Sequence, residues 1–393
     1  MAPLFKLVST LIARMLLKAG YIFPVKRTRV LFSSYEGRQY TCNPKYIFEG
    51  MINQFGDRYE YIWVLNNKNQ LPEKYRSRVN TVSFLSCRHI YYMLTSGIII
   101  SNLGIEPIFP KRRCQKFINT WHGGGAYKRV SVDMNMFGAV EKYYMRKVRK
   151  IRSRNTDYFI SSCRRFTEVS SRDFEIKPEV FVSSGMPRND YLFNRDEARI
   201  REIRDMLYRD FDIHKENLLV LYAPTFRDSH RHQRNIENKV CCQKVKHALE
   251  SRFGKNVTFL LRSHLSPDNS KIDAGEIDVP VVDVTQVPDM QCLLSIADVL
   301  ITDYSSSIWD FCITEKPGFI FCPDLHEYAY NRGFYTPMEK WPYEYAETID
   351  DLCRVIASYD GNVNKKRIIT HIKELGTYEN GDAVAQILQL ISR

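Results

Sequence analysis

The chain has 393 residues, 44% of them hydrophobic, and a formal charge of +12. That apolar content excludes a disordered chain and suits two domains of ordinary size. The positive excess calls for an anionic partner, which leaves nucleic acid, anionic lipid and phosphorylated substrates as candidates.

The first element is basic and amphipathic. In MAPLFKLVSTLIARMLLKAGYIFPVKRTRV a helix would put Leu4, Val8, Leu11, Ile12, Met15 and Leu16 on one broad face, with Lys6, Arg14 and Lys18 away from its centre. The charges interrupt it too often for a membrane span, and no cleavage site for a signal peptide follows. Residues 1–27 therefore read as a helix lying on an anionic membrane surface, the alternative being a helix docked on the protein's own core.

From residue 28 the pattern alternates strand and helix. Apolar strands are expected at 29–34, 61–66, 81–84, 97–102, 116–121, 157–162 and 180–185. A second series is expected at 218–224, 257–264, 279–284, 298–303 and 318–322. Short, nearly continuous apolar runs suit strands buried on both faces of a parallel sheet. Helical stretches lie at 43–54, 136–150, 195–209, 237–251, 305–314 and 347–358. This alternation predicts α/β architecture with two doubly wound domains, 28–193 and 194–393. Between 111 and 165, fifteen Lys and Arg face only Asp133, Glu141 and Asp157. The ten cysteines show no CxxC or Cys/His spacing, and several lie in apolar runs, which favours free thiols in a reducing compartment.

Five polar motifs begin where apolar strands end, the place where open α/β sheets bind ligands. The first is NTWHGGGAYKRV. Gly123 and Gly124 would let backbone N–H groups approach a phosphate, His122 could move a proton beside it, and Lys128 and Arg129 would add positive charge. The others carry Arg188 (GMPRND), Thr225 and Arg227 (APTFRD), Arg262 and His264 (RSH), and Asp303 with Ser305, Ser306 and Ser307 (ITDYSSS). The arginines suit phosphate contacts, and the serines would occupy the first turn of a helix whose N–H groups favour an anion. A turn glycine, a packed histidine and a simple N-cap are the plainer readings. Asp210-Phe211-Asp212 and the His230/His232 loop read as solvated polar segments. No Walker motif, GxGxxG, GxSxG or HExxH occurs.

In order along the chain, NPKYIFE, NTWHG, GMPRNDYLF, YAPTFRD, RSH, ADVLITDYSSSIWDF and RGFY resemble the CDP-glycerol glycerophosphotransferases of teichoic-acid and capsule synthesis. The resemblance covers about residues 28–375. It implies a GT-B-like fold, two Rossmann-like domains facing a central cleft, with the CDP-alditol held mainly by the second. It further implies no metal or cofactor, and peripheral work at the cytoplasmic face of a bacterial cell membrane on a lipid-linked or growing polymer. Its two motif histidines correspond to His122 and His264, and its serine-rich turn to Asp303 and Ser305–Ser307. One departure is Gly124-Gly125-Ala126, where many members carry Thr-Pro-Leu. The expected reaction is transfer of glycerol phosphate, or another alditol phosphate, to a glycan hydroxyl with release of CMP. His122 is the expected general base; Arg227, Arg262, His264 and the serine turn would stabilise phosphate charge. The rivals are a sugar-nucleotide glycosyltransferase of the same fold and a non-catalytic nucleic-acid or membrane-binding protein. No nucleic-acid partner is expected, since RNA-stacking motifs are not evident.

Overall fold

The computed structural model describes residues 2–130, 134–135, 137–194, 196–211, 213–225, 240–262, 279, 281–287 and 289–392. They form two compact units. The first comprises residues 1–123, 130–190 and 377–393; the second comprises 124–129 and 191–376.

The first unit is built on seven strands: β1 (Lys26–Ser33), β2 (Glu60–Val64), β3 (Val79–Val82), β4 (Ser96–Ser101), β5 (Lys116–Asn119), β6 (Tyr158–Ile160) and β7 (Phe181–Val182). Their order is β3-β2-β1-β4-β5-β6-β7 and every pairing is parallel. Period-two alternation sends Val30, Phe32, Tyr61 and Trp63 to one face, and Leu31, Ile62 and Val64 to the other. On the first face Phe32 stacks on Trp63 with centroids 5.5 Å apart, and Phe48 from the helix Cys42–Phe55 meets both edge-on. Such contacts add about 1 kcal/mol each to the burial itself.

The second unit has six strands: β8 (Leu218–Ala223), β9 (Val257–Leu261), β10 (Val281–Asp283), β11 (Val299–Thr302), β12 (Gly318–Phe321) and β13 (Glu344–Ala346). Their order is β10-β9-β8-β11-β12-β13, again parallel throughout. All twelve expected strands are present. The thirteenth, β13, escapes the sequence reading because its EYA segment has no apolar run and only Ala346 is buried. The helix expected at 305–314 is shorter, Ser307–Cys312.

A single cut near residue 193 does not describe the units, because the chain's last segment returns to the first. Asp190 accepts hydrogen bonds from the N–H groups of Ala383 and Val384 (3.0 and 2.7 Å) and so caps the helix Ala383–Ser392. That helix sends Ile387, Leu388 and Ile391 into the same core as Phe48. Glu379 accepts from the Met186 N–H and the Asn189 amide, and the Tyr378 N–H donates to Ser162 O. Most of GMPRND is therefore the seat of the returning segment.

The N-terminal helix, Ala2–Leu17, buries Leu7 and Thr10. Leu4, Phe5, Val8, Leu11, Ile12, Met15 and Leu16 are exposed, Phe5 at 78%. The apolar face is thus turned to solvent rather than docked on the core. No helix among the described residues is long and apolar enough to cross a membrane.

Candidate active site

In each sheet the chain runs from its first strand toward one edge and later resumes on the other side. The switch points are β1/β4 in the first unit and β8/β11 in the second, and such points open a crevice at the carboxyl ends of the strands. Both are closed by the same device. In the second unit the N–H of Thr225, two residues past β8, donates to the carboxylate of Asp303, the first residue past β11 (2.9 and 3.1 Å). The Thr225 hydroxyl donates to the same carboxylate at 3.0 Å, and Asp303 is buried. In the first unit the N–H of Tyr35, two residues past β1, donates to Oδ1 of Asn102, the first residue past β4, at 2.9 Å. Asn102 is fully buried, and its amide also donates to Ser34 Oγ.

His122 lies three residues past β5, at the first of these points. Its Nδ1 is 3.0 Å from the carbonyl oxygen of Asn102. A carbonyl can only accept, so Nδ1 carries the proton, and in the neutral ring Nε2 carries the lone pair. The Tyr35 ring meets the imidazole edge-on, and Trp121 lies against it at 4.5 Å between centroids. Tyr35, Glu36 and Trp121 all have positive φ (47°, 57° and 50°). Each such residue other than glycine stores about 1 kcal/mol of strain, which packing around the site must offset. Glu106, on the loop after β4, is a further titratable group here. Burial pushes its carboxyl up to about 7, with Arg152 pulling down and Glu36 pushing up.

Arg188, expected at a phosphate, donates through Nη1 to the His122 carbonyl oxygen at 2.8 Å, with Cys42 Sγ at 3.3 Å. It is buried and braces the loop that carries the imidazole. Gly123 follows in the same unit.

In the second unit Ser305 Oγ accepts from the N–H of Ser307 (3.2 Å) and from its hydroxyl (2.9 Å), so this serine does N-cap work. Ser307 is buried, whereas Ser305 and Ser306 are half-exposed. Arg262, the first residue past β9, donates its backbone N–H to the Tyr222 carbonyl of β8. Gly124 and Gly125 lie against the buried Trp309 of the Ser307–Cys312 helix, where an added Cβ at either would overlap the indole. Close approach to Trp309 by itself calls for glycine at 124, and at 125 the positive φ of 76° adds to it.

The rest of the Gly124–Arg129 strap is held by RGFY. Lys128 bridges Phe334, the Arg129 N–H donates to Gly333 O, and the Tyr335 N–H donates to Tyr127 O. The Tyr127 hydroxyl meets His371 Nε2 at 2.8 Å, while His371 Nδ1 is 2.7 Å from Lys340 O. The carbonyl again fixes the proton on Nδ1, so Tyr127 donates. Asn102, Tyr35 and His371 were not singled out from the sequence. The strand-end pair ISN and ITD was the available signal for Asn102. His264 and Arg227, like Asp212, His230 and His232, lie outside the described residues. Among the described residues no cluster of His, Cys, Asp or Glu could hold a metal ion.

Residues 15–393 match the family described as CDP-Glycerol:Poly(glycerophosphate) glycerophosphotransferase. The chain belongs to this family. The resemblance read from the motifs, the transferase class and the two-Rossmann, GT-B-like fold are those of this family. The chain is 30% identical over 378 residues to a teichoic acid poly(glycerol phosphate) polymerase of Bacillus spizizenii, covering 94% of this chain and 93% of that one. It is 32% identical to the corresponding Bacillus subtilis polymerase, over 81% of this chain, and spans only 42% of that longer protein. A histidine-to-asparagine variant of the wall teichoic acid polymerase TagF, soaked with CDPG, superposes with a TM-score of 0.82 at 26% identity. That match covers 100% of this chain and 96% of the TagF chain.

Proposed function

We propose that this glycerophosphotransferase moves glycerol phosphate, or a related alditol phosphate, from a CDP-alditol to a hydroxyl of a teichoic-acid-like or capsule polymer, releasing CMP. The acceptor oxygen attacks the β-phosphorus and the bond to the CMP oxygen breaks. His122 Nε2 takes the acceptor proton as the new bond forms, which contributes about 10²–10⁴-fold. The observation that carries the proposal is an imidazole with Nδ1–H committed to a carbonyl, at the switch point of a nucleotide-type sheet. In the second unit the Ser305–Ser307 turn, Arg262 and the loop tied by Thr225 and Asp303 would bind the diphosphate. Arg227 and His264 would complete that set, and Lys128 and Arg129 would attract the anionic acceptor.

The exposed apolar face of Ala2–Leu17 supports peripheral attachment at the cytoplasmic face of the cell membrane. The helix Ala139–Asn155, rich in Lys and Arg, packs beside it and would add attraction for anionic lipid.

The test is incubation with CDP-glycerol, CDP-ribitol or UDP-sugars and a defined lipid-linked acceptor, reading CMP or UDP and the product mass. CMP and an acceptor larger by one alditol phosphate are expected, with His122→Ala lowering kcat at least 100-fold while CDP-glycerol still binds. UDP release from a UDP-sugar would favour the glycosyltransferase reading instead. Wild-type rates in His122→Ala would remove His122 from the mechanism.

A further inference from the structure

Four observations converge on Asn102. It is fully buried at the switch point of the first sheet. Its carbonyl takes the Nδ1 proton of His122. Its side chain holds the Tyr35 N–H and Ser34 Oγ, so it anchors the left-handed Tyr35–Glu36 turn. The Tyr35 ring in turn walls the imidazole. One residue thus sets the ring's proton through its main chain and the ring's neighbour through its side chain.

We propose that Asn102 is the positioning residue of His122, holding the imidazole with Nε2 as its basic nitrogen and keeping a neutral amide where the second sheet has a carboxylate. The reading rests on His122 being the base, as proposed above. The contrast with Asp303 gives it chemical content. Both side chains accept an N–H from the residue two past the first strand of their sheet, so an aspartate can make this bond. Beside an imidazole, however, a carboxylate would favour the protonated ring and withdraw the base at neutral pH. Ionisable groups around the ring and the loops that carry it include Tyr35 and Glu36 after β1, Cys42 at the start of its helix, Glu106 after β4, Arg152 of the Ala139–Asn155 helix and Arg188 after β7.

The experiment compares wild type with Asn102→Asp and Asn102→Ala in the full chain. In Asn102→Asp the acid limb of the kcat–pH profile is expected to move up by about one pH unit, so the rate below the limb falls about tenfold. At high pH the rate should recover. Asn102→Ala keeps the carbonyl but frees the Tyr35 turn, so kcat should fall with little change in KM for CDP-glycerol. A merely structural role would lower the rate equally at every pH. Nitrogen NMR of labelled histidine reads the ring directly: Nδ1–H in wild type, and a higher titration midpoint for His122 in Asn102→Asp. An unmoved midpoint and limb in a folded Asn102→Asp would overturn the proposal, as would a wild-type ring protonated on Nε2. If the NMR midpoint moves but the rate profile does not, positioning stands and the base assignment of His122 fails.

Discussion

Gly124→Ala adds one methyl group at a place already full. The new Cβ would lie 2.8 Å from Trp309 Cγ and 2.9 Å from its Nε1, and closer still to Cδ1. Ordinary carbon contacts are about 3.5–4.0 Å. Trp309 is 1% exposed, so it cannot swing into solvent; the strap or the Ser307–Cys312 helix must shift instead. Overpacking of this kind costs about 1–3 kcal/mol. For a unit of this size that lowers the melting midpoint by roughly 2–4 °C per kcal/mol. Thermal denaturation followed by circular dichroism measures the cost, and repeating it in a Trp309→Leu background isolates the contact. There the methyl should cost little, since the indole is gone. The same cost in both backgrounds would refute the reasoning. So would an unchanged midpoint with a raised KM for CDP-glycerol, which would return Gly124 to phosphate binding.

Asp190→Ala removes the acceptor of two N–H groups at the start of Ala383–Ser392 and should destabilise the first unit by about 1–2 kcal/mol, seen as a lower urea midpoint. His89 and His371 are both held neutral by burial, with pKa pulled down to about 4 from an ordinary value near 6.5. The unfolded chain binds their protons first, so the stability they allow is complete above pH 6.5 and is lost as pH falls toward 4. Each withdraws up to about 3 kcal/mol over that window. Urea denaturation at pH 7 and pH 4.5 should show the fall, and a His89→Gln/His371→Gln double variant should show a flatter dependence.

The strands were legible because parallel strands buried on both faces leave apolar runs such as GIIIS and LLVLYA, and the motifs were legible because they start where those runs stop. β13 was not, since it is a half-exposed edge strand. Nor was the return of the last helix, whose partners Asp190 and Phe48 lie far away in sequence. Glycine in NTWHGGGAYKRV is ambiguous for a physical reason: a bare backbone suits a phosphate and an indole equally, and the indole beside Gly124 is a long-range contact that no local pattern reveals. Arg188 is ambiguous in the same way, since a guanidinium fits a phosphate or the His122 carbonyl. The kinship between Asn102 and Asp303 was visible as ISN and ITD, but its meaning depends on strand order.

The interleaving of the two units bears on synthesis. A ribosome makes all seven strands of the first sheet early, yet the helix that completes its core is translated only after the whole second unit. Until then Ile47, Phe48 and Met51 wait for their partners, and an unfinished nascent chain keeps an apolar seam open to chaperones. The first-made half is thus sealed last.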